Sequence, residues 1–159
     1  MVKNGLLSLL LVALALAPAL AHLLELPNKI HLSRQDYLTV QQIYRGWALL
    51  GFVVFGALLS TLALTVTLRK QRRAFVFALI AFCCIVGTQA IFWTCTYPVN
   101  QITDNWNLLP DNWAELRRQW ELSHAAGAGL NLIALTMLTA SVLAKDSGKW
   151  GRSGAFREQ

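Results

Sequence analysis

Charge is scarce in this chain. Of its 159 residues only 14% are charged, whereas 55% are hydrophobic and the mean hydropathy is +0.45. Soluble domains carry roughly 25% charged residues, so this composition excludes an ordinary soluble domain and favours an integral membrane protein. The net charge of +6 comes from basic residues that lie beside apolar runs and form no continuous basic face, which argues against nucleic-acid binding.

Cysteine is equally scarce and gives no sign of thiol chemistry. The three cysteines, Cys83, Cys84 and Cys95, lie in or just beyond one apolar segment, and the sequence has no C-x-x-C motif. We interpret them as small packing residues. The sequence also lacks a phosphate-binding loop, a nucleophile with an adjacent base, and any nucleic-acid motif, so the common soluble enzyme classes gain no support.

Long apolar runs are what the sequence has in abundance. Residues 6–26 carry no charge before Glu25 and would span roughly 31 Å at about 1.5 Å per residue, which matches a bilayer core. Further helices are predicted at about residues 35–68, 74–95 and 111–144. The predicted fold class is therefore all-α, a four-transmembrane-helix bundle at residues 1–144 with a flexible cytoplasmic tail at 145–159.

The first apolar segment has a second interpretation. Lys3, a leucine-rich core and the run Ala19-Leu20-Ala21 are also typical of a secretory signal that is cleaved before His22. The apolar run continues to Leu26, which is long for a signal core. We therefore expect a retained membrane helix.

The residues after this segment predict a break in the helix. Pro27 is expected to end the first helix, because proline has no N–H to donate. Residues 28–34 then form a polar connection, with Lys29 and His31 on its surface. Ser33 is a candidate N-cap for the next helix.

The distribution of lysine and arginine predicts the orientation in the membrane. Nine basic residues fall on one side of the predicted spans and five on the other, and the richer side is cytoplasmic. Both termini are then cytoplasmic, in a multi-pass protein of the plasma membrane, which is the inner membrane if the source is bacterial. The nine are Lys3, Arg69, Lys70, Arg72, Arg73, Lys145, Lys149, Arg152 and Arg157, and the five are Lys29, Arg34, Arg45, Arg117 and Arg118.

Two reversed motifs fall at the opposite, outer end. His22 and Glu25 are three residues apart near the end of the first helix, and Glu121 and His124 are three apart on the fourth. Because these helices run antiparallel, both imidazoles lie deeper than both carboxylates. Glu-x-x-His pairs hold metal ions in ferritin-like bundles, so the four residues predict a site for Fe, Cu, Mn or Zn. Two histidines also permit haem ligation, which the nearby carboxylates disfavour.

Other interpretations of these residues stay open. Near the interface His and Glu reach toward headgroups and water, so a hydrogen-bonded cap or an ion pair within one helix would explain either motif. Four residues are candidates for lining a substrate site: Trp113, Trp120, Asn131 and Gln89. The tryptophans would otherwise form an interfacial belt, and the amides would form hydrogen bonds between helices.

Four segments occur in a characteristic order along the chain up to Ala144. They are Ala21-His22-Leu23-Leu24-Glu25-Leu26-Pro27-Asn28-Lys29, Val40-Gln41-Gln42-Ile43-Tyr44-Arg45-Gly46, Tyr97-Pro98-Val99-Asn100, and Trp113 with Trp120-Glu121-Leu122-Ser123-His124. In this order they resemble the anthrone oxygenase-like family of small four-helix membrane proteins, most of which are known only as a domain of unknown function. The basic residues that usually follow the histidine in that family are replaced here by Ala125, Ala126 and Gly127.

The resemblance implies an oxygenase-like enzyme that acts on an aromatic or lipophilic molecule from the membrane. By resemblance Asn100, Glu121 and His124 are catalytic, with Asn100 orienting the substrate oxygen. The His/Glu residues would bind a metal or, without one, remove a proton from an activated carbon so that oxygen can add. The alternative is a non-enzymatic accessory or assembly subunit in which the His/Glu cluster is a structural lock. The expected partners are the lipid bilayer, a lipophilic substrate, and a second copy or another membrane subunit.

Overall fold

The fold is built entirely from helical segments in the residues described. The structure is a computed structural model that describes the backbone of residues 2–153 and the side chains of residues 4–144. Its helices are α1 (Val2–Lys29), α2 (Arg34–Gln41), α3 (Leu50–Leu68), α4 (Arg72–Ile91), α5 (Tyr97–Ile102) and α6 (Trp113–Ser153). Two 3-10 turns, Gln42–Tyr44 and Trp47–Leu49, precede α3, and a π turn, Phe92–Thr96, joins α4 to α5.

Within those residues, four helical segments are long and apolar enough to cross a membrane. They are Asn4–Lys29, Trp47–Leu68, Arg72–Ile102 and Trp113–Ala144. Helix α1 packs on α3 and α6, and α4 packs on the same two helices, so the four close into a ring. Gly5 lies beside Val142 whereas Lys29 contacts Glu121, which shows that α1 and α6 run antiparallel.

The ends of the helices differ from the sequence expectation in several places, and the helix expected at 74–95 continues through the π turn and α5 to Ile102. Helix α1 continues past Pro27 to Lys29, because proline removes only its own backbone donor and the next turn still forms, with the Ile30 N–H bonded to the Leu26 carbonyl at 3.0 Å. The single helix expected at 35–68 is divided before α3 by the two 3-10 turns and by Gly46, whose φ of 83° is a left-handed conformation that glycine adopts readily.

Helix α6 runs to Ser153 in the described backbone. The predicted flexible tail at 145–159 therefore begins inside this helix. Its side chains and its last residues, 154–159, lie outside the described residues, and its flexibility stays a prediction.

One half of the bundle is packed with small side chains. Its core, which we call the alanine core, comprises Val12, Ala57, Leu64, Leu68, Ala74, Ala78, Ala81, Ile85, Ala134 and Leu138. Half of these ten residues are alanines, which let helix backbones approach closely. Beside it the Ser141 hydroxyl donates to the Ala74 carbonyl at 2.7 Å, a bond from α6 to α4. This half carries little chemistry, and the reactive groups lie at the other end.

Candidate functional site

The four predicted metal ligands reach the same end of the bundle but do not converge. The imidazoles of His22 on α1 and His124 on α6 lie against each other, with ring centroids 4.2 Å apart and planes inclined by 31°. The carboxylates of Glu25 and Glu121 instead face an ammonium group, that of Lys29. The site is therefore an imidazole pair beside an ion-pair network.

Lys29 is the centre of that network. Its Nζ lies 3.1 Å from Oε1 of Glu121 and 3.5 Å from Oε2 of Glu25, and it donates to the Tyr44 hydroxyl at 2.7 Å. The Lys29 side chain is only 4% exposed, so the expectation that it lies on a loop surface is wrong. The physical reason is the extension of α1, which places Lys29 one turn after Glu25 on the same helix. The Lys29 ammonium is buried there, and a buried charge needs a counter-charge.

Two tyrosines from the connection between α1 and α3 complete the network. The Tyr37 hydroxyl donates to Oε1 of Glu121 at 2.9 Å and accepts from the Gln41 amide, and the Tyr44 hydroxyl donates to Oε2 of Glu25. Burial raises the pKa of both phenols far above its ordinary value, and the adjacent carboxylates raise it further. Both tyrosines therefore remain protonated and act as hydrogen-bond donors.

Aromatic rings enclose the imidazole pair. The His22 ring lies 4.5 Å from Tyr44, 5.6 Å from Trp47 and 5.0 Å from Trp120, and the His124 ring lies 4.1 Å from Trp120. We call the connected rings the aromatic cluster; they are those of His22, Tyr37, Tyr44, Trp47, Trp106, Trp113, Trp120 and His124.

Several buried polar atoms in and around the aromatic cluster have no hydrogen-bond partner. They are Nδ1 of His22, Oε2 of Glu121, Oε1 of Gln41, Nε1 of Trp106 and Nε of Arg117. Almost all buried polar atoms in proteins are paired, and the exceptions are often places for a ligand or a catalytic function. Nδ1 of His22 is thus a buried ring nitrogen whose hydrogen-bonding capacity is unused.

The donor set does not fit a metal ion or a haem. Among the described side chains no group of three or more His, Cys, Asp or Glu residues is arranged to hold a metal. The two imidazole centroids are only 4.2 Å apart, which leaves no room between the rings for a haem. Because Lys29 holds the carboxylates of Glu25 and Glu121, the predicted metal site is not supported.

The structure distributes the other predicted site residues unevenly. Trp120 stands inside the cluster, and its indole N–H donates to Oδ1 of Asn100 at 2.8 Å, so Asn100 positions this ring. Trp113 lies farther out, against Tyr37 at 6.2 Å. Asn131 is buried two turns deeper on α6, and the Gln89 amide donates to the adjacent Thr88 hydroxyl at 3.3 Å, so neither is brought to the imidazoles by a contact.

A strained turn covers the outer side of the cluster. Asp104, Asn105 and Trp106 have φ angles of 47°, 53° and 64°, which are left-handed and rare for a residue as bulky as tryptophan. The Trp106 ring is buried against Tyr37 at 4.9 Å and Trp120 at 6.0 Å. Gln42 fixes the turn by donating to the Trp106 carbonyl at 3.1 Å. The packing of this ring thus outweighs the backbone strain.

Sequence reasoning missed Lys29, Tyr37, Tyr44 and Trp106. A signal existed for Lys29, because Glu25 and Lys29 are four residues apart and would pair on one helix face if the helix continued through Pro27. For Tyr37 and Tyr44 the spacing gave no signal, since their partners lie on other helices. The pair Asp104-Asn105 indicated a left-handed turn but not the burial of the tryptophan that follows it.

Comparisons with known proteins add no relatives. The chain matches no protein-family model, no curated protein and no solved structure. In the described residues, the fold and site define only a class, an all-helical fold with four long apolar helices and a charged and aromatic site at one end. A particular function has to be argued from the site itself.

Proposed function

We propose that this chain is a multi-pass integral membrane protein that removes a proton from a lipophilic aromatic molecule, so that dioxygen oxidises the deprotonated carbon. Four apolar helices of sufficient length support the first part of the proposal. The side of α3 that points away from the other helices also supports it, because Phe52 is 78% and Phe55 60% exposed there. Aromatic side chains exposed to this extent suit a lipid environment. The excess of basic residues around the turn between α3 and α4 favours cytoplasmic termini and a site at the outer face.

The observation that carries the catalytic part is the imidazole pair with an unpartnered nitrogen. A neutral imidazole is a general base, and His22 and His124 are enclosed by aromatic rings that would pack against an aromatic substrate. The carboxylates are less suited to this role, because Glu25 and Glu121 are held by Lys29 and the two tyrosines.

The proposed reaction balances without a cofactor. The imidazole takes one proton from an activated CH₂ group and leaves a carbanion that is delocalised into the rings. This carbanion gives its electrons to dioxygen, and a C–O bond forms. The proton then returns from the imidazolium to the outer oxygen, which gives a hydroperoxide. Loss of water leaves a carbonyl group, so that R₂CH₂ and O₂ become R₂C=O and H₂O.

The charge of Lys29 would stabilise the deprotonated substrate. The Lys29 ammonium, inside the same network, favours negative charge that develops on the substrate oxygen.

Oxygen uptake by the purified protein in lipid nanodiscs tests this function. Anthrone is a suitable probe, because its CH₂ group lies between two aromatic rings. We expect incorporation of ¹⁸O from ¹⁸O₂ above the uncatalysed rate, and a fall of that rate by about 10²–10⁴-fold in His22→Ala, the usual contribution of a general base. His31→Ala is the matched control, because His31 is exposed on the connection after α1. Equal rates in both variants would refute the proposal for this probe.

A second candidate function is that of a non-enzymatic accessory subunit. The observation that favours it is the ion network, in which Lys29 of α1 and Tyr37 of α2 both bind Oε1 of Glu121 on α6. These contacts join the three helices. In this case the network is a structural lock. We then expect no oxygen uptake in any variant, together with loss of the folded state when the network is opened.

A further inference from the structure

The rings of the aromatic cluster form a continuous series. Beginning at Trp113, the steps run to Tyr37 at 6.2 Å, to Trp106 at 4.9 Å, to Trp120 at 6.0 Å and to His124 at 4.1 Å. From His124 the series continues to His22 at 4.2 Å, then to Tyr44 at 4.5 Å and Trp47 at 5.0 Å. Each step is a contact between neighbouring rings, and Tyr44 also contacts Trp120 directly at 5.9 Å, so each of the two tyrosines has tryptophan rings beside it to which it can pass an electron.

Both tyrosines of the series have a carboxylate at the hydroxyl group. Tyr37 donates to Glu121 at 2.9 Å, and Tyr44 donates to Glu25. The third tyrosine of the chain, Tyr97, differs, because its hydroxyl accepts from the Gln101 amide at 3.2 Å and its ring lies against Trp93 outside the series. A proton acceptor within hydrogen-bond distance is what a phenol needs in order to lose an electron reversibly.

We propose that Tyr37 and Tyr44 are redox-active, and that each can be oxidised by one electron to a neutral tyrosyl radical while its hydroxyl proton moves to Glu121 or Glu25. The inference stands apart from the proposed oxygenation, because it requires no substrate. It assigns to the aromatic cluster the capacity to hold one oxidising equivalent inside the bundle.

The step balances for a one-electron oxidant. The phenol O–H bond breaks, the electron passes along the rings to the oxidant, and the proton forms a new O–H bond on the carboxylate. Because the proton stays inside the network, the net charge of the network becomes more positive by one unit, that of the electron that leaves. Because burial raises the pKa of both phenols, the phenolate is not formed beforehand, and loss of the electron has to be coupled to the proton transfer.

Burial also protects the radical once it has formed. Tyr37 is fully buried and Trp106 covers it from the outer side, so water and reductants do not reach its oxygen. The return of the proton from Glu121 then limits how fast the radical is quenched. A long-lived radical is therefore expected from this pair, in contrast to one at the exposed Tyr97.

Photo-oxidation of the full chain in nanodiscs tests the proposal. Tris(bipyridine)ruthenium(III), generated by a light flash in the presence of persulfate, is the one-electron oxidant, and electron paramagnetic resonance detects the radical. We expect a neutral tyrosyl spectrum in the wild-type protein, which narrows when ring-deuterated tyrosine is incorporated, so that the assignment to tyrosine needs no substitution. Formation of the radical should be slower in deuterated water.

Variants assign the radical to its residues. Tyr37→Phe with Tyr44→Phe keeps both rings and should abolish the long-lived signal, whereas Tyr97→Phe should leave it unchanged. Glu25→Gln with Glu121→Gln should diminish the radical while the phenols remain. A signal that survives in Tyr37→Phe with Tyr44→Phe and disappears in Tyr97→Phe, or the absence of a neutral tyrosyl spectrum in the wild type, would overturn the inference.

Discussion

The two halves of this bundle are held together by different physics. In the alanine core, helices α1, α3, α4 and α6 pack through small apolar side chains, and the Ser141 hydroxyl adds a bond to a backbone carbonyl. At the other end, Lys29 and Glu121 form a buried ion pair, to which the partly exposed Glu25 adds, among eight aromatic and imidazole rings. The alanine core depends on close approach, and the aromatic end on paired charges.

The difference teaches where each half is vulnerable. Removing one member of a buried ion network leaves the others charged and unpaired, which costs more than the network contributes when it is intact. In a packed apolar core no side chain needs a counter-charge, and the stability depends instead on the volume of each side chain. Substitutions in the two halves should therefore differ in how much they lower the free energy of unfolding. They should also differ in whether a second substitution can restore it.

The largest effect is expected from Lys29→Met. It leaves the Glu121 carboxylate buried without its cation, so the free energy of unfolding should fall by about 3–5 kcal/mol. Unfolding by sodium dodecyl sulfate in mixed micelles, followed by tryptophan fluorescence, measures it. Lys29→Met with Glu121→Gln should recover most of the loss, and Arg118→Gln on the exposed face of α6 is the control. A loss that Glu121→Gln does not repair would contradict the network description.

Overpacking the alanine core should have the next largest effect. Ala78 on α4 is completely buried, and Ala78→Leu should destabilise the bundle by about 1–3 kcal/mol because the helices have to separate. The same unfolding assay applies. Ala63→Leu, on the exposed face of α3, adds the same atoms without this cost. If the two leucine variants have the same free energy of unfolding, close approach of the helices is not what stabilises this half.

A smaller effect is expected at the bond between α6 and α4. Ser141→Ala removes the donor to the Ala74 carbonyl and should cost about 0.5–1 kcal/mol, the usual range for such bonds between apolar helices. Ser60→Ala is the matched control, since the Ser60 hydroxyl donates only to Ala57 of its own helix. Equal losses in the two variants would show that the interhelical bond contributes nothing specific.

The smallest effect is expected at Gly51, near the start of α3. A Cβ atom there would meet nothing within 4 Å, so Gly51→Ala should change the free energy of unfolding by less than about 0.5 kcal/mol. At Gly87 on α4 a Cβ would lie 3.1 Å from Cδ1 of Leu130 on α6, so Gly87→Ala should be the less stable of the two. The reverse order would indicate that α4 and α6 pack less closely there than the structure shows.

The coarse fold could be predicted from the sequence because it follows from the length and hydropathy of the apolar runs. Such runs predict helices without any knowledge of what the helices pack against, and the described part of the chain contains four helices of this kind. The breaks were harder, since Pro27 and Gly46 act through the local hydrogen-bond pattern. Pro27 stays inside α1, whereas Gly46 redirects the chain before α3.

The candidate site could be predicted only where its residues lie one turn apart. His22 and His124 were identified from their spacing to glutamates on the same helices, and the structure brings these imidazoles together. The network around them could not be predicted, because Tyr37, Tyr44 and Lys29 meet their partners across three helices. Periodicity shows which face a residue occupies and not which helix that face meets.

The position of Lys29 at the end of α1 has a consequence for the biosynthesis of the protein. Its main counter-charge, Glu121, belongs to the helix that is synthesised after α1, α3 and α4. Before α6 is made, the Lys29 ammonium has only Glu25 of its own helix as a carboxylate partner, and burial of the ammonium without Glu121 would be costly. The arrival of α6 allows Lys29 to be buried, so completion of the site and closure of the bundle are one event.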